Sequence, residues 1–285
     1  QLDVGPTGRV FVAGRTGSNT VVRVAYSDNF GDPAVAIPAW TLNGFQGVGL
    51  LPFPAGVNGI GLMGQATVAA DHSPGGAGRV YPLCSVLRFP TLPPADQADV
   101  YFARSTDNGA TWSPAQRLNL DAPGAAFQWF GMMAVAPNGR IDVLWNDTRN
   151  DGALPGVVPT KSELVYRSSS DGGLNWGPEI QVSPQYDHTL GYPNGSEKLG
   201  DYYDLHSDNL GVDVAYAATF NGEQDAYYLR IGPQDCNRNG VADEAEISNG
   251  TVADCNGNGL PDNCEPDCDA NGVIDENIWL AANLD

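Results

Sequence analysis

The sequence predicts an all-β chain of short antiparallel strands, and three observations carry that expectation. A hairpin pattern recurs at long period, with Gly8, Gly78, Gly139 and Gly211 closing its turns at spacings of 70, 61 and 72 residues. The 35 glycines and 21 prolines among 285 residues exceed the roughly 12% combined share of average proteins, which favours tight turns over long helices. Charge is uneven: residues 1–234 hold 22 acidic and 13 basic side chains, whereas 235–285 hold 12 acidic ones and a single basic residue, Arg238. The chain therefore reads as a large Gly-rich body, 1–232, and a small acidic tail, 233–285, joined near Gly232-Pro233.

Composition removes several function classes. With 42% apolar and only 17% charged residues the body can bury a core. The net charge of −20 repels polyanions, so neither nucleic acid nor an anionic membrane surface is an expected partner. No apolar stretch approaches the roughly 20 residues of a membrane span, so insertion is not expected. Gln1 opens on a strand-like run without a leader, which reads as a processed chain.

Within the body, each hairpin is an apolar strand, a polar turn closing on glycine, and a second strand of alternating apolar residues. The copies are Leu2 to Ala13, Thr67 to Leu83, Met133 to Trp145 and, more loosely, Tyr203 to Tyr216. Further strands are expected at Val21 to Tyr26, Asp99 to Arg104, Glu163 to Arg167 and Asp225 to Ile231, so each period holds about four. Four short antiparallel strands repeated at this period predict a β-propeller of about four blades. The fourth period lacks an outer strand, and an unpaired edge there would allow self-association by strand addition. Cys84, alone in the body after a strand-like run, is expected to be a buried thiol. His72, His188 and His206 have no metal-ligand spacing and are expected in turns or loops.

Two segments follow the third strands of periods two and three: Ser105-Thr-Asp-Asn-Gly-Ala-Thr-Trp112 and Ser169-Ser-Asp-Gly-Gly-Leu-Asn-Trp176. They match Ser-x-Asp-x-Gly-x-Thr-Trp, with Asn175 in place of Thr, and Ser27-Asp-Asn-Phe-Gly31 reads as a decayed copy. Through Ser105, Asp107, Gly109, Trp112, Ser169, Asp171, Gly173 and Trp176, residues 1 to 231 resemble the sialidase-like propellers built from Asp-box (BNR) repeats. The boxes themselves are turn closures: the carboxylate accepts backbone N–H groups, glycine takes positive φ, and tryptophan packs beneath. The resemblance implies a Tyr nucleophile with an activating Glu, an Asp acid and an arginine cluster for a substrate carboxylate. The candidates are Tyr203 (or Tyr202) beside Asp201 and Asp204, Glu163, Arg149 and Arg167. The family's N-terminal Arg-Ile-Pro has no counterpart, since Arg88-Phe-Pro90 falls in the second period.

The tail carries the most specific pattern. Asp235, Asn237, Asn239, Val241, Asp243 and Glu246 occupy positions 1, 3, 5, 7, 9 and 12 of a twelve-residue calcium loop, with Gly240 at the sharp turn. Asp254, Asn256, Asn258, Leu260, Asp262 and Glu265 repeat it. A third copy, Asp267, Asp269, Asn271, Val273 and Asp275, lacks an acidic position 12. Two to three calcium ions are expected. The loops lie too close together for paired EF-hands, and the tail resembles thrombospondin type 3 repeats, with dockerin as the second resemblance. A dockerin requires a helix after its first loop, where Ile247-Ser-Asn-Gly250 is expected to break too early. Cys236, Cys255, Cys264 and Cys268 allow three pairings. Disulfides with calcium loops imply an extracellular setting, secreted or at the cell surface.

The sequence thus reads as a non-catalytic calcium-binding propeller for adhesion or surface assembly, with an extracellular glycan or protein as partner. The alternative is an exo-glycosidase of sialidase type.

Overall fold

The structure is a computed structural model that describes residues 1–15, 22–32, 34, 39, 41–44, 57–58, 66–86, 98–122, 126–153, 157–191, 198–200, 203–254, 257 and 259–264. The chain divides into two compact units, Gln1–Ser207 with Asp213–Leu229, and Asp208–Val212 with Arg230–Asp285.

The first unit is an all-β propeller of antiparallel sheets formed in chain order. Blade one is β1 (Leu2–Val4), β2 (Val10–Arg15), β3 (Val22–Ser27) and β4 (Thr41–Gly44); blade two is β5 (Thr67–Ala70), β6 (Val80–Val86), β7 (Asp99–Phe102) and β8 (Gln116–Arg117). Blade three is β9 (Gln128–Val135), β10 (Ile141–Asp147), β11 (Lys161–Ser169) and β12 (Ile180–Gln181), with β13 (Tyr186–Asp187) also on β11. The last sheet has three strands, β14 (Asp204–Ser207), β15 (Val212–Ala218) and β16 (Asp225–Ile231). His206 therefore lies on a strand, not in a loop. The first strands β1, β5, β9 and β14 neighbour one another in that order, as inner strands of successive blades do.

Blade-to-blade packing explains why the central strands are apolar throughout. All seven residues of β6 are buried. Val80, Cys84 and Val86 turn toward Phe11, Val22 and Val24 of blade one, while Tyr81 and Leu83 turn toward Ile141, Val143 and Trp145 of blade three. A strand covered on both faces has no polar side to display. The Cys84 thiol is fully buried, and burial pushes it up to about 12, so it is inert.

The two Ser-x-Asp turns lock the third strands to the fourth. Asp107 accepts the Thr111 N–H at 2.8 Å and its hydroxyl at 2.6 Å, and Ser105 Oγ accepts the Gly109 N–H at 2.8 Å. Asp171 accepts the same backbone N–H from Asn175 at 2.9 Å, and the Asn175 amide supplies the second bond at 2.7 Å. Asparagine thus replaces threonine as donor without loss of the turn. Gly173 has φ of 79°, and a Cβ there would meet the Phe102 ring at 2.4 Å, beside the edge-on Trp176. In Ser27-Asp-Asn-Phe-Gly31, Ser27 donates to Asn29 at 2.9 Å, a reduced version of the same turn.

Candidate functional site

The register of blade three fixes two ends. Ile141 pairs with Ser169 at the end bearing the Ser-x-Asp turn, and Asp147 pairs with Gln128 and Glu163 at the other. In blade two, Asp99 opens β7 opposite Val86, away from Ser105. The ends opposite the turns therefore gather Asp99, Gln128, Asp147 and Glu163. The connection from β8 to β9 adds Asn119 and Asp121.

All of these except Glu163 belong to one polar network. Arg117 donates to Asp99 at 2.5 Å and to Asp121 at 3.1 Å. Asn119 reaches Asp99, Asp121 and the Gln128 carbonyl at 2.6, 2.7 and 2.9 Å. The Gln128 amide donates to both Asp121 and Asp147, at 3.3 and 3.2 Å. Arg149 closes the set: its Nη2 lies 2.5 Å from Asp147, 3.0 Å from Glu179 and 4.0 Å from Asp121, while Nη1 donates to Glu179 at 2.6 Å. Three carboxylates thus surround one guanidinium nitrogen. Burial pulls Arg149 down, but the bonds and charges of Asp147 and Glu179 outweigh it and hold the group above its ordinary value. Burial raises the Asp121 carboxyl, against the Asn119 hydrogen bond and the Arg117 charge, and the Asp147 charge raises it further.

Asp121 and Arg149 open on a cleft of about 250 Å³, whose walls include Ala126, Thr148, Gly152 and Pro159. Thr148 pins it by accepting the Phe127 N–H on Oγ at 2.8 Å. Behind Pro159, whose carbonyl lies 3.2 Å from His188 Nε2, the ring sits buried with Nδ1 3.0 Å from Ser162 Oγ. This loop histidine is neutral because burial pulls it down to about 4. A depressed folded value means stability is complete above the unfolded value near 6.5 and is lost as pH falls toward 4, by about 3 kcal/mol at the limit. Urea titrations from pH 7 to 4 are expected to show that decline, and His188→Gln to flatten it.

Of the residues anticipated for a sialidase-type site, Glu163 feels the Arg149 charge and Tyr203 meets Asn146, whereas Arg167 is tied to backbone carbonyls. Tyr203 is buried with its hydroxyl on the Ala217 carbonyl at 2.9 Å and on the Asn146 amide at 3.4 Å, and burial raises it. Glu163, raised by burial, is held by Gln185 at 2.9 Å and Asn150 at 2.5 Å. Arg167 donates to the carbonyls of Gly177, Leu118 and Trp176, so it ties blade three to the end of blade two rather than facing a ligand. Only Arg149 of the four reaches the cleft. Tyr202, Asp201 and Arg88 lie outside the described residues. Asp99, Arg117, Asn119, Asp121, Gln128, Asp147 and Glu179 carry no spacing signal, because segments far apart in the chain supply them.

In the second unit the first tail loop is fully described. Asp235 accepts the N–H groups of Asn239 at 3.1 Å and Gly240 at 2.9 Å, and Gly240 has φ of 85°. The Asn237 and Asn239 amides converge on the two Glu246 oxygens at 3.0 and 2.7 Å. Helix α1 (Asp243–Asn249) begins at loop position 9, and Gly250 caps it with φ of 74°. The anticipated break at Ile247-Ser-Asn-Gly250 therefore comes after two turns, not before a helix forms, because Gly250 serves as a left-handed cap. Among the described residues no three His, Cys, Asp or Glu side chains cluster as a metal site. The donor set nonetheless fits a hard cation: turning the two amides would aim their oxygens where their nitrogens now meet Glu246. In the second loop Asp254 accepts the Gly257 and Gly259 N–H groups at 2.8 and 2.9 Å. Cys236 is disulfide-bonded to Cys264, which selects one bridge among the pairings open from sequence. Cys255, Asn256, Asn258, Glu265, Cys268 and the third loop, Asp267 to Asp275, lie outside the described residues.

No family model and no curated protein matches the chain. Solved structures similar to it include an α-L-arabinanase from Penicillium chrysogenum, 14% identical with a TM-score of 0.45, covering 81% of this chain and 61% of that one. Another is an α-L-arabinofuranosidase from Fusarium graminearum, 12% identical with a TM-score of 0.47, covering 80% of this chain and 60% of that one. A thermostable family-43 glycoside hydrolase is 12% identical with a TM-score of 0.43, covering 80% and 66%. The chain spans about three fifths of the length of the first two.

Proposed function

We propose that the chain is an extracellular, glycan-active propeller of exo-glycosidase type, carrying a calcium-binding tail. One observation supports the catalytic part: Asp121, a carboxyl raised by burial, opens on the cleft beside an arginine that holds two further carboxylates. Such an environment suits a proton donor. Asp121 gives its proton to the glycosidic oxygen as that bond to the anomeric carbon breaks. Water bonds to the anomeric carbon, and Glu179, held in place by Arg149, takes the water proton. Asp147 positions Arg149. In the tail, Asp235, Asn237, Asn239, the Val241 carbonyl, Asp243 and Glu246 would hold calcium, which supplies charge balance and order rather than chemistry.

The test is turnover of aryl glycosides spanning neutral and acidic sugars, with Asp121→Asn as the variant. Loss of rate by about 10²–10⁴-fold is expected, with partial recovery on a dinitrophenyl leaving group that needs no proton. If no glycoside is turned over, the enzymatic reading fails and the adhesive role anticipated from sequence is the better account.

A further inference from the structure

We infer that the cleft selects a single neutral sugar ring and rejects acidic ones; this rests on the glycan-active reading above. Acidic side chains dominate around the opening. Asp99, Asp121, Asp147 and Glu179 outnumber Arg117 and Arg149, and the side chains of Asp99 and Asp147 are fully buried. Arg149 is the cationic group among the residues walling the cleft. Its Nη atoms are engaged by Asp147 and Glu179, and its Nε is buried without an acceptor among the described residues.

A sialic or uronic acid needs a forked cation for its carboxylate. To obtain it here, the ligand would displace Glu179 or Asp147 from Arg149 and leave a buried charge unpaired. It would also approach the excess negative charge of the network. A neutral ring meets the opposite situation, because Asp121 accepts and Arg149 and Thr148 can donate to hydroxyl groups without disturbing any ion pair. Size points the same way: about 250 Å³ is below the roughly 300–1,000 Å³ of sites for drug-sized ligands, and among the described residues walling it Ala126 and Gly152 are small and none is a stacking aromatic.

The experiment compares kcat/KM for neutral aryl pentosides and hexosides with that for aryl sialoside and aryl glucuronide, using the full chain. Neutral substrates are expected to lead by about 100-fold or more. Glu179→Gln, which removes one negative charge beside Arg149 and also the proposed base, is expected to narrow the gap at least tenfold when it is read as calorimetric affinity for the free neutral and acidic sugars. Equal or better turnover of the acidic substrates would overturn the inference while leaving the glycosidase reading intact. Absence of turnover on every member fails that reading, and calorimetric titration of the free neutral and acidic sugars then decides the selectivity alone: tighter binding of the acidic sugar, or no binding of either, overturns it.

Discussion

Asp147→Ala is expected to destabilise the propeller by about 3–5 kcal/mol, read as a fall in the urea midpoint at unchanged slope. The carboxylate is fully buried and accepts the Trp145 indole N–H at 3.0 Å, the Gln128 amide at 3.2 Å, and the Arg149 backbone and guanidinium at 2.9 and 2.5 Å. Alanine leaves all of these donors inside the protein with fewer acceptors, and each stranded donor costs about 1–3 kcal/mol. The guanidinium keeps Glu179 but loses its deeper counter-ion. Asp147→Asn retains the shape and one acceptor, so its cost should be the smaller of the two. Adding Arg149→Met to Asp147→Ala should recover part of the loss, because the unpaired charge goes with the arginine. A loss below about 1 kcal/mol in the single variant would show that Arg149 finds solvent instead, and the cleft would then lack a fixed wall.

The features legible in the sequence were those written in local spacing. The glycine turns of the hairpin copies, the strand Asp225 to Ile231 and the Ser-x-Asp turns each depend on residues within about ten positions of each other. The boundary residues were less legible: β11 runs from Lys161 to Ser169, beyond the Glu163 to Arg167 core, because pairing with β10 extends it to Ser169 and pairing with β13 extends it to Lys161. The polar network could not be read because no window contains it. Asp99 and Arg117 come from blade two, Asp121 from a connection, Asp147 and Glu179 from blade three, and only the register places them together. Arg167 shows the converse: a buried arginine on a third strand resembles a clamp in sequence, yet its three carbonyl partners belong to turns and linkers.

Removing calcium is expected to loosen the tail while leaving the propeller transition in place. In the first loop Asp235, Asp243 and Glu246 bring three carboxylates into twelve residues, and all three are buried. Without a cation, their mutual repulsion is offset only by loop N–H groups and two asparagine amides. A bound divalent ion replaces those amide contacts with direct coordination. Extracellular calcium modules bind at about 10⁻⁴–10⁻³ M, and calcium at 100 times such a dissociation constant would add about 2.7 kcal/mol per site. A calorimetric scan in 10 mM calcium against chelator should therefore raise one transition and leave the other unmoved. Glu246→Gln removes a charged ligand worth about 1.5–3 kcal/mol, which lowers affinity at that loop by about 10–100-fold in titration calorimetry. The Cys236–Cys264 bridge ties the first loop to the second across 28 residues, so it should hold the chelated tail compact rather than fully unfolded. Reduction together with chelation is then expected to exceed the sum of either treatment alone. No calcium-dependent heat and no shift of either transition would remove the ion from the tail, and the acidic residues would serve only to close the loop by accepting its N–H and amide groups.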